Sequence, residues 1–210
     1  MTLPLRDGMA GYPGDPLVRV RQIRDLAEHG FRLHELCLGS HAGTHVNAPW
    51  HMAPGGERLE DLPLTHFVAR AVVRYPSPPV RQDFAEEGGA GLASDGMIAR
   101  SSRFFQTHAP LPAGLGLVYA DAPLDARELP LVLAARPPFV AQASEFPLDE
   151  DVERALCRAG IVSFENLANT GDLPRDETFL FVGLPLAIAG DGAPVRAIAM
   201  LMEPDFSGHP

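Results

Sequence analysis

The chain has 210 residues, of which 46% are hydrophobic and 21% charged, a balance typical of one globular domain. Its formal net charge of −10 argues against a nucleic-acid partner, which needs a basic face, and against binding to anionic lipid. All 17 basic residues are arginine, which excludes Schiff-base catalysis by a lysine amine. The two cysteines, Cys37 and Cys157, are too few for a disulfide framework and are predicted to be free thiols in a reducing cytosol.

No segment has the features of a targeting or membrane sequence. The N-terminus lacks the long apolar core of a secretory signal, and the most apolar stretch, residues 179–189, contains a glycine and a proline and is too short to span a bilayer. We therefore expect a soluble, cytoplasmic protein without a membrane partner. Residues 1–210 are predicted to form one domain, with residues 203–210 as a frayed tail.

Glycine and proline are both plentiful, with 20 and 21 residues, which favours many short elements joined by turns. A tight turn at 12–16 is followed by the alternating residues of 17–23, which predict a half-buried strand. Further along, the sequence predicts a strand at 31–38, a turn of helix and then a strand within 62–75, an exposed connection at 76–96 and a buried strand at 115–120.

The clearest helix is predicted at 148–159, where apolar residues recur at helical spacing, acidic residues crowd the first turn and a glycine follows the last. A strand at 161–164 would then place Glu165 at its carboxyl end, and strands at 179–186 and 195–202 would close the chain. The expected fold class is α/β, strand-rich and with few short helices.

Four polar side chains lie close together in the segment His41-Ala-Gly-Thr-His45-Val-Asn47-Ala-Pro-Trp-His51. Its glycine and proline disfavour a continuous helix, so a strand or loop is predicted. In an extended chain His41, His45 and Asn47 would share one face, with His51 just beyond a proline turn. This is metal-ligand spacing, since imidazole suits Zn, Mn, Fe or Ni. The alternative is an ordinary surface or core histidine with satisfied hydrogen bonds, which we expect for His29, His34, His66, His108 and His209.

The pattern His-x-Gly-Thr-His, followed by Pro-x-His, resembles the signature of the cyclase family, which includes bacterial kynurenine formamidase and isatin hydrolase. Other parts of the chain also resemble the family: the turn at 12–16, a second metal segment at 156–169, and closing strands at Pro185-Leu186 and 195–197. The resemblance implies a swivelling β/β/α fold, a homodimer or higher oligomer, and metal-dependent hydrolysis or cyclisation of a small amide, lactam or lactone.

By position, the resemblance implies that His41 and His45 are metal ligands, His51 is a general acid or base, and Glu165 is a ligand or a neighbouring group. A bound cation would lower the pKa of water and polarise the substrate carbonyl, and His51 would move the proton. Two aromatic residues, Tyr12 and Trp50, are candidates for an apolar substrate wall, or they are packing residues.

Two positions depart from the family pattern. Asn47 stands where the family has aspartate, and Glu153 stands where two-metal members have a ligand histidine. A neutral amide cannot bridge two cations as a carboxylate does, which argues against a binuclear zinc site. The exchange makes the donor set richer in oxygen and shifts the preference from Zn towards Mn or Mg. We therefore predict one divalent cation held by His41, His45 and some of Asn47, Glu153 and Glu165.

Other interpretations remain open. Glu153 could be a solvated residue on the helix flank, and Glu165 could simply cap a strand. Without a metal, His45, His51 and Glu165 form an acid–base set that suits a cyclase or isomerase of a biosynthetic pathway. A third alternative is a degenerate, non-catalytic relative, against which the presence of His51 argues.

Overall fold

The computed structural model describes residues 1–74, 111–175 and 177–201. The strands in these ranges are β1 (Arg19–Arg24), β2 (Leu33–Cys37), β3 (His45–Asn47), β4 (Val68–Arg74), β5 (Gly116–Tyr119), β6 (Phe139–Ala143), β7 (Val162–Leu167), β8 (Phe179–Val182), β9 (Gly192–Pro194) and β10 (Ile198–Met200). The helices are α1 (Leu26–His29), α2 (Leu129–Ala135) and α3 (Glu150–Arg158), and 3-10 turns lie at Pro49–His51, Leu59–Asp61, Leu64–His66 and Thr170–Asp172.

One large sheet with the strand order β10-β8-β4-β5-β6-β7-β3-β9 organises the described residues. The four central strands β4 to β7 are parallel, and the strands on either side of them are antiparallel. One face packs around a cluster of phenylalanines, Phe139, Phe164 and Phe181. The other face packs against α2 and α3 through residues such as Val132 and Leu156. Strands that are buried on both faces are expected to be almost continuously apolar, as β5 is.

The structure confirms a strand-rich α/β domain with few short helices. The turn at 12–16, the predicted strands up to 115–120 and the predicted helix at 148–159 are all present, with bounds shifted by a few residues. The first strand pairs with β2 in a separate ribbon, in which Val20 and Ile23 of β1 are partly buried and every residue of β2 is exposed. The sequence prediction also missed α2 and β6, which lie among prolines. Pro130 occupies the first turn of α2, where its missing N–H breaks no helical hydrogen bond.

Some predictions concern residues outside the described ranges. The exposed connection at 76–96, the tail at 203–210, His108 and His209 all lie there. Within the described ranges, no helix has the length and apolar character needed to cross a lipid bilayer.

Candidate metal centre

The centre of the site is β3, which lies between β7 and β9. Successive side chains of a strand point to opposite faces, so Val46 enters the phenylalanine core while His45 and Asn47 point to the face below α3. The register pairs His45 with Glu165 on the neighbouring strand. The predicted common face of His45 and Asn47 is therefore present. His41 lies before the strand, in a turn that reverses at Gly43 with φ +63°, and its ring reaches back to Asn47.

His45 has the form of a metal-ligating histidine. Its Nδ1 lies 2.8 Å from the carbonyl oxygen of Gly43, which can only accept, so Nδ1 carries the proton. Burial lowers the pKa of His45 to about 4, so the ring is neutral at pH 7. Its Nε2 therefore presents a lone pair, which faces Oε1 of Glu165 at 3.7 Å. Two electron-rich atoms that face each other at this distance are candidate ligands for a cation.

Asn47 connects the histidines to two carboxylates. Its oxygen Oδ1 lies 2.7 Å from Nδ1 of His41, and its amide nitrogen donates to Oε1 of Glu153 and, at 2.8 Å, to Oε1 of Glu165. The amide thus bridges a carboxylate on α3 and a carboxylate on β7.

The two glutamates are not where the simpler interpretations put them. Glu153 belongs to α3 and its side chain is buried, so it is not solvated. Asp149 caps this helix by accepting hydrogen bonds from the backbone of its first turn. Glu165 lies inside β7, so the predicted strand end at residue 164 is wrong. Burial, with the nearby charge of Glu165, raises the pKa of Glu153 to about 8.

Asp191, which the sequence analysis missed, lies between two of the histidines. Its Oδ2 is 2.8 Å from Nε2 of His41 and 3.1 Å from Nδ1 of His51. Burial alone would raise the pKa of Asp191, but hydrogen bonds from His41 and His51 lower it to about 2. In the sequence Asp191 lies between two glycines and is indistinguishable from an ordinary turn residue. It reaches the site because β9 pairs with β3.

His51 follows β3 in the Pro49–His51 turn and joins the cluster from the opposite side. Its ring centroid lies 4.1 Å from that of His41, and its Nε2 lies 3.9 Å from Oε1 of Glu153. Burial, and then the nearby charge of His41, lowers the pKa of His51, which favours the neutral ring.

Apart from Asp191, these groups line a pocket of about 690 Å³. Tyr12 lines its mouth and donates a hydrogen bond of 3.0 Å to Glu150 at the start of α3. Trp50 is not among the lining residues: its ring lies 4.1 Å from the Arg58 guanidinium, in a cation–π contact. This placement differs from the predicted substrate wall.

The candidate donor atoms form two groups. Those of His41, His51 and Asp191 lie within 4.8 Å of one another, and Nε2 of His45 faces Oε1 of Glu165 at 3.7 Å. Nitrogen and oxygen ligands at about 2.1 Å from one ion lie roughly 3–3.5 Å apart, so each group is a candidate for holding a divalent cation. The two ring nitrogens of His41 lie 2.7 Å from Oδ1 of Asn47 and 2.8 Å from Oδ2 of Asp191.

Comparisons with known proteins identify relatives that cover nearly the whole chain. A kynurenine formamidase from Salinibacter ruber is 32% identical over 216 residues, covering 90% of each chain. A solved structure described as a potential metal-dependent hydrolase with cyclase activity matches with a TM-score of 0.64 at 19% identity, covering 97% of this chain and 96% of that one. Isatin hydrolase A from Ralstonia solanacearum matches with a TM-score of 0.64 at 20% identity, covering 94% and 89%.

The two structural matches show the same fold. The family model named Cyclase matches residues 1–87, which include the histidine segment. With the 32% identity to the Salinibacter ruber relative over nearly the whole length, these matches show that the chain belongs to the cyclase family.

Proposed function

We propose that this protein is a metal-dependent hydrolase that cleaves the C–N bond of a small amide, of the arylformamidase type. The observation that carries the proposal is the lone pair of His45, which faces the carboxylate of Glu165 across 3.7 Å at the floor of the pocket. The relative from Salinibacter ruber is named a kynurenine formamidase, and one solved neighbour is named an isatin hydrolase.

The cation would be held by His45 and Glu165, with His41 and the oxygen of Asn47 completing the set and Glu153 beside them. Mixed nitrogen and oxygen donors suit Mn or Zn. When bound, the ion polarises the substrate carbonyl and lowers the pKa of water. Since the Asn47 amide nitrogen cannot coordinate, a single cation agrees better with this donor set than two do.

His51 moves the proton in this mechanism. Asp191 accepts from Nδ1 of His51, which fixes the tautomer and leaves Nε2 as the basic atom. The lowered pKa of His51 keeps the ring neutral, so Nε2 can take a proton from the attacking water. The same nitrogen then returns the proton to the departing amide nitrogen as the C–N bond breaks. Tyr12, at the mouth of the pocket, is placed to contact the aryl group.

The test combines metal content with activity. Protein purified without a histidine tag is analysed for bound metal and then assayed on N-formyl anilides, isatin-like lactams and lactones with added Mn or Zn. We expect about one equivalent of metal per chain and faster hydrolysis of the formyl amides. Less than half an equivalent, with no activation by either metal, would exclude the metal-dependent mechanism.

One observation favours a second candidate, a metal-independent cyclase or isomerase. The Asn47 amide donates to both carboxylates and so connects them without a cation. In that case His45, His51 and Glu165 would do acid–base chemistry alone. Activity that survives exhaustive chelation but is lost in His51→Ala would support this candidate over the first.

A further inference from the structure

The rim of the pocket is acidic. Among the residues that line the pocket, Tyr12, Asp15 and Glu150 are exposed, whereas His45 and Asn47 are buried. The lining residues that the structure describes include no arginine, and the chain contains no lysine. A substrate that reaches the buried histidine therefore passes two carboxylates at the rim and finds no fixed positive charge on those residues.

A tight turn holds Asp15 at the rim. Its backbone N–H donates to the carbonyl oxygen of Tyr12 over 3.0 Å, and Gly14, with φ +103°, occupies the position of a type II turn that requires a positive φ. The carboxylate folds back towards Gly11, where an added Cβ would lie 3.7 Å from Oδ2 of Asp15. Within the described part of the chain, no basic side chain forms an ion pair with this carboxylate.

Glu150 adds a second carboxylate from the start of α3. Its Oε1 accepts the hydrogen bond of Tyr12 over 3.0 Å, and its Oε2 lies 3.6 Å from Arg154, which is outside the lining. The hydrogen bond and charge of Glu150, followed by desolvation and the charge of Asp15, raise the pKa of Tyr12. Because Arg154 partly neutralises Glu150, Asp15 has the larger effect on an incoming charge.

The N-terminus of α3 does not reverse the charge of the rim. Helix N-termini attract anions, but here Asp149 accepts from the backbone N–H groups of Asp151 and Val152, and acidic residues occupy the first turn. An incoming carboxylate would find these donors already occupied and would be repelled by the acidic side chains around them. An ammonium group would be attracted.

From these observations we infer that the pocket selects an aryl amide that carries a protonated amine on its aryl group, with Asp15 as the principal counter-ion and Glu150 beside it. The inference rests on the proposed function, because it takes the scissile amide to lie at the histidines. A pocket of about 690 Å³ is large enough for a small aromatic amide with one such substituent. Met9 and Leu148 are also in the lining and suit the aryl ring.

Three N-formyl anilides that differ only in the para substituent test this preference: aminomethyl, hydroxymethyl and carboxymethyl. A carboxylate at a partly exposed site favours an opposite charge by up to roughly fivefold. With two carboxylates, we expect kcat/KM for the aminomethyl compound to exceed that for the hydroxymethyl compound by roughly 5- to 25-fold at low salt. The carboxymethyl compound should be the slowest, and the differences should shrink at high salt. Equal values for the three compounds at low salt would overturn the inference.

Asp15→Asn should lower the ratio of the aminomethyl to the hydroxymethyl value by roughly fivefold. A change in folding or turnover that affects both compounds equally cancels in this ratio. Asp151→Asn is the matched control, because it removes the same charge from the first turn of α3, but its side chain is 95% exposed and outside the pocket lining. The control should leave the ratio unchanged. Equal losses in both variants would assign the preference to the overall negative charge of the protein and would overturn the role of the rim.

Binding to metal-free protein separates this inference from the proposed function. In the presence of a chelator, calorimetry measures the affinity for the two amine products, 4-(aminomethyl)aniline and 4-(hydroxymethyl)aniline. We expect the first to bind roughly 5- to 25-fold more tightly. If this preference is present but none of the formyl anilides is hydrolysed with added Mn or Zn, the proposed hydrolysis is wrong and the charge preference of the pocket stands. Equal binding of the two amines, together with equal hydrolysis of the formyl anilides, would support the hydrolase and overturn the inference.

Discussion

Asn47→Asp in metal-free protein tests the amide bridge directly. The amide nitrogen donates to Glu153 and Glu165, and the substitution replaces this donor by a carboxylate. Glu153 can share a proton with the new group at pH 7, because burial and Glu165 raise its pKa to about 8. The contact with Glu165 would then have no proton to share. Two carboxylates would face each other where the amide now donates a hydrogen bond of 2.8 Å.

The size of the effect follows from two limits. A lost hydrogen bond to a charged group costs about 1.5–3 kcal/mol, before any repulsion is counted. Alternatively, the carboxyl groups can take up one more proton, which restores a hydrogen-bond donor to this contact. For a carboxyl group with a pKa of about 4, this protonation costs about 4 kcal/mol at pH 7. We therefore expect the free energy of unfolding to fall by roughly 3–4 kcal/mol at pH 7, and the loss to shrink by about 1.4 kcal/mol for each unit that the pH is lowered.

Urea unfolding in the presence of a chelator, at pH 7 and pH 5, measures this loss. The matched control is the double variant Asn47→Asp with Glu165→Gln, in which the amide and the carboxylate exchange strands, and it should regain most of the stability. Added Mn or Zn should also stabilise the single variant, by about 2.7 kcal/mol at a hundred times its dissociation constant. A single variant as stable as the wild type at pH 7, or equally destabilised at both pH values, would refute the bridging role of the amide.

Three further predictions concern neighbouring parts of the site. Gly192→Ala should lower the free energy of unfolding by about 1–3 kcal/mol and displace the ring of His41, because a Cβ there would lie 2.5 Å from a backbone oxygen. Gly171→Ala is the matched control, because a Cβ at that position would enter open space. Equal destabilisation of both variants would contradict the steric explanation. Metal-free protein should have a stability plateau between about pH 4.5 and 6.5, where two groups oppose each other. His45, with its pKa lowered from 6.5 to about 4, favours unfolding as the pH falls below 6.5, because only the unfolded chain takes up its proton. Glu153, with its pKa raised from 4.5 to about 8, favours unfolding as the pH rises from 4.5 to 8, because only the folded chain keeps its proton, and above pH 6.5 this decline is no longer offset. Glu153→Gln should abolish the decline between pH 6.5 and 8 in urea titrations, and an unchanged decline would assign it to another group. Asp191→Asn should reduce kcat about 10- to 100-fold with metal content unchanged, because the tautomer of His51 is no longer fixed; loss of metal instead would identify Asp191 as a ligand.

Local periodicity explains the parts of the site that the sequence predicts. The alternation of a strand puts His45 and Asn47 on one face, and helical spacing defines α3, which carries Glu153. The predicted boundary of β7 is wrong because Glu165 and Asn166, both partly buried, have low strand propensity, and the requirements of a polar site override that preference.

Long-range pairing explains what the sequence could not predict. Asp191 enters the site because β9, a strand of three residues, pairs with β3 about 150 residues earlier, and local sequence contains no signal for such a partner. His41 reaches Asn47 through a left-handed turn at Gly43 rather than along an extended strand, so its predicted contact arises by a different route.

The short central strand of the site has a consequence for synthesis of the protein on the ribosome. The three residues of β3 are held by hydrogen bonds to strands that are made more than a hundred residues later. A nascent chain that has already exposed every histidine of the pocket therefore still has no pocket until residues 192–194 leave the exit tunnel. The proposed cation site would then be completed among the last events of biogenesis, and chains that terminate before that point should be inert.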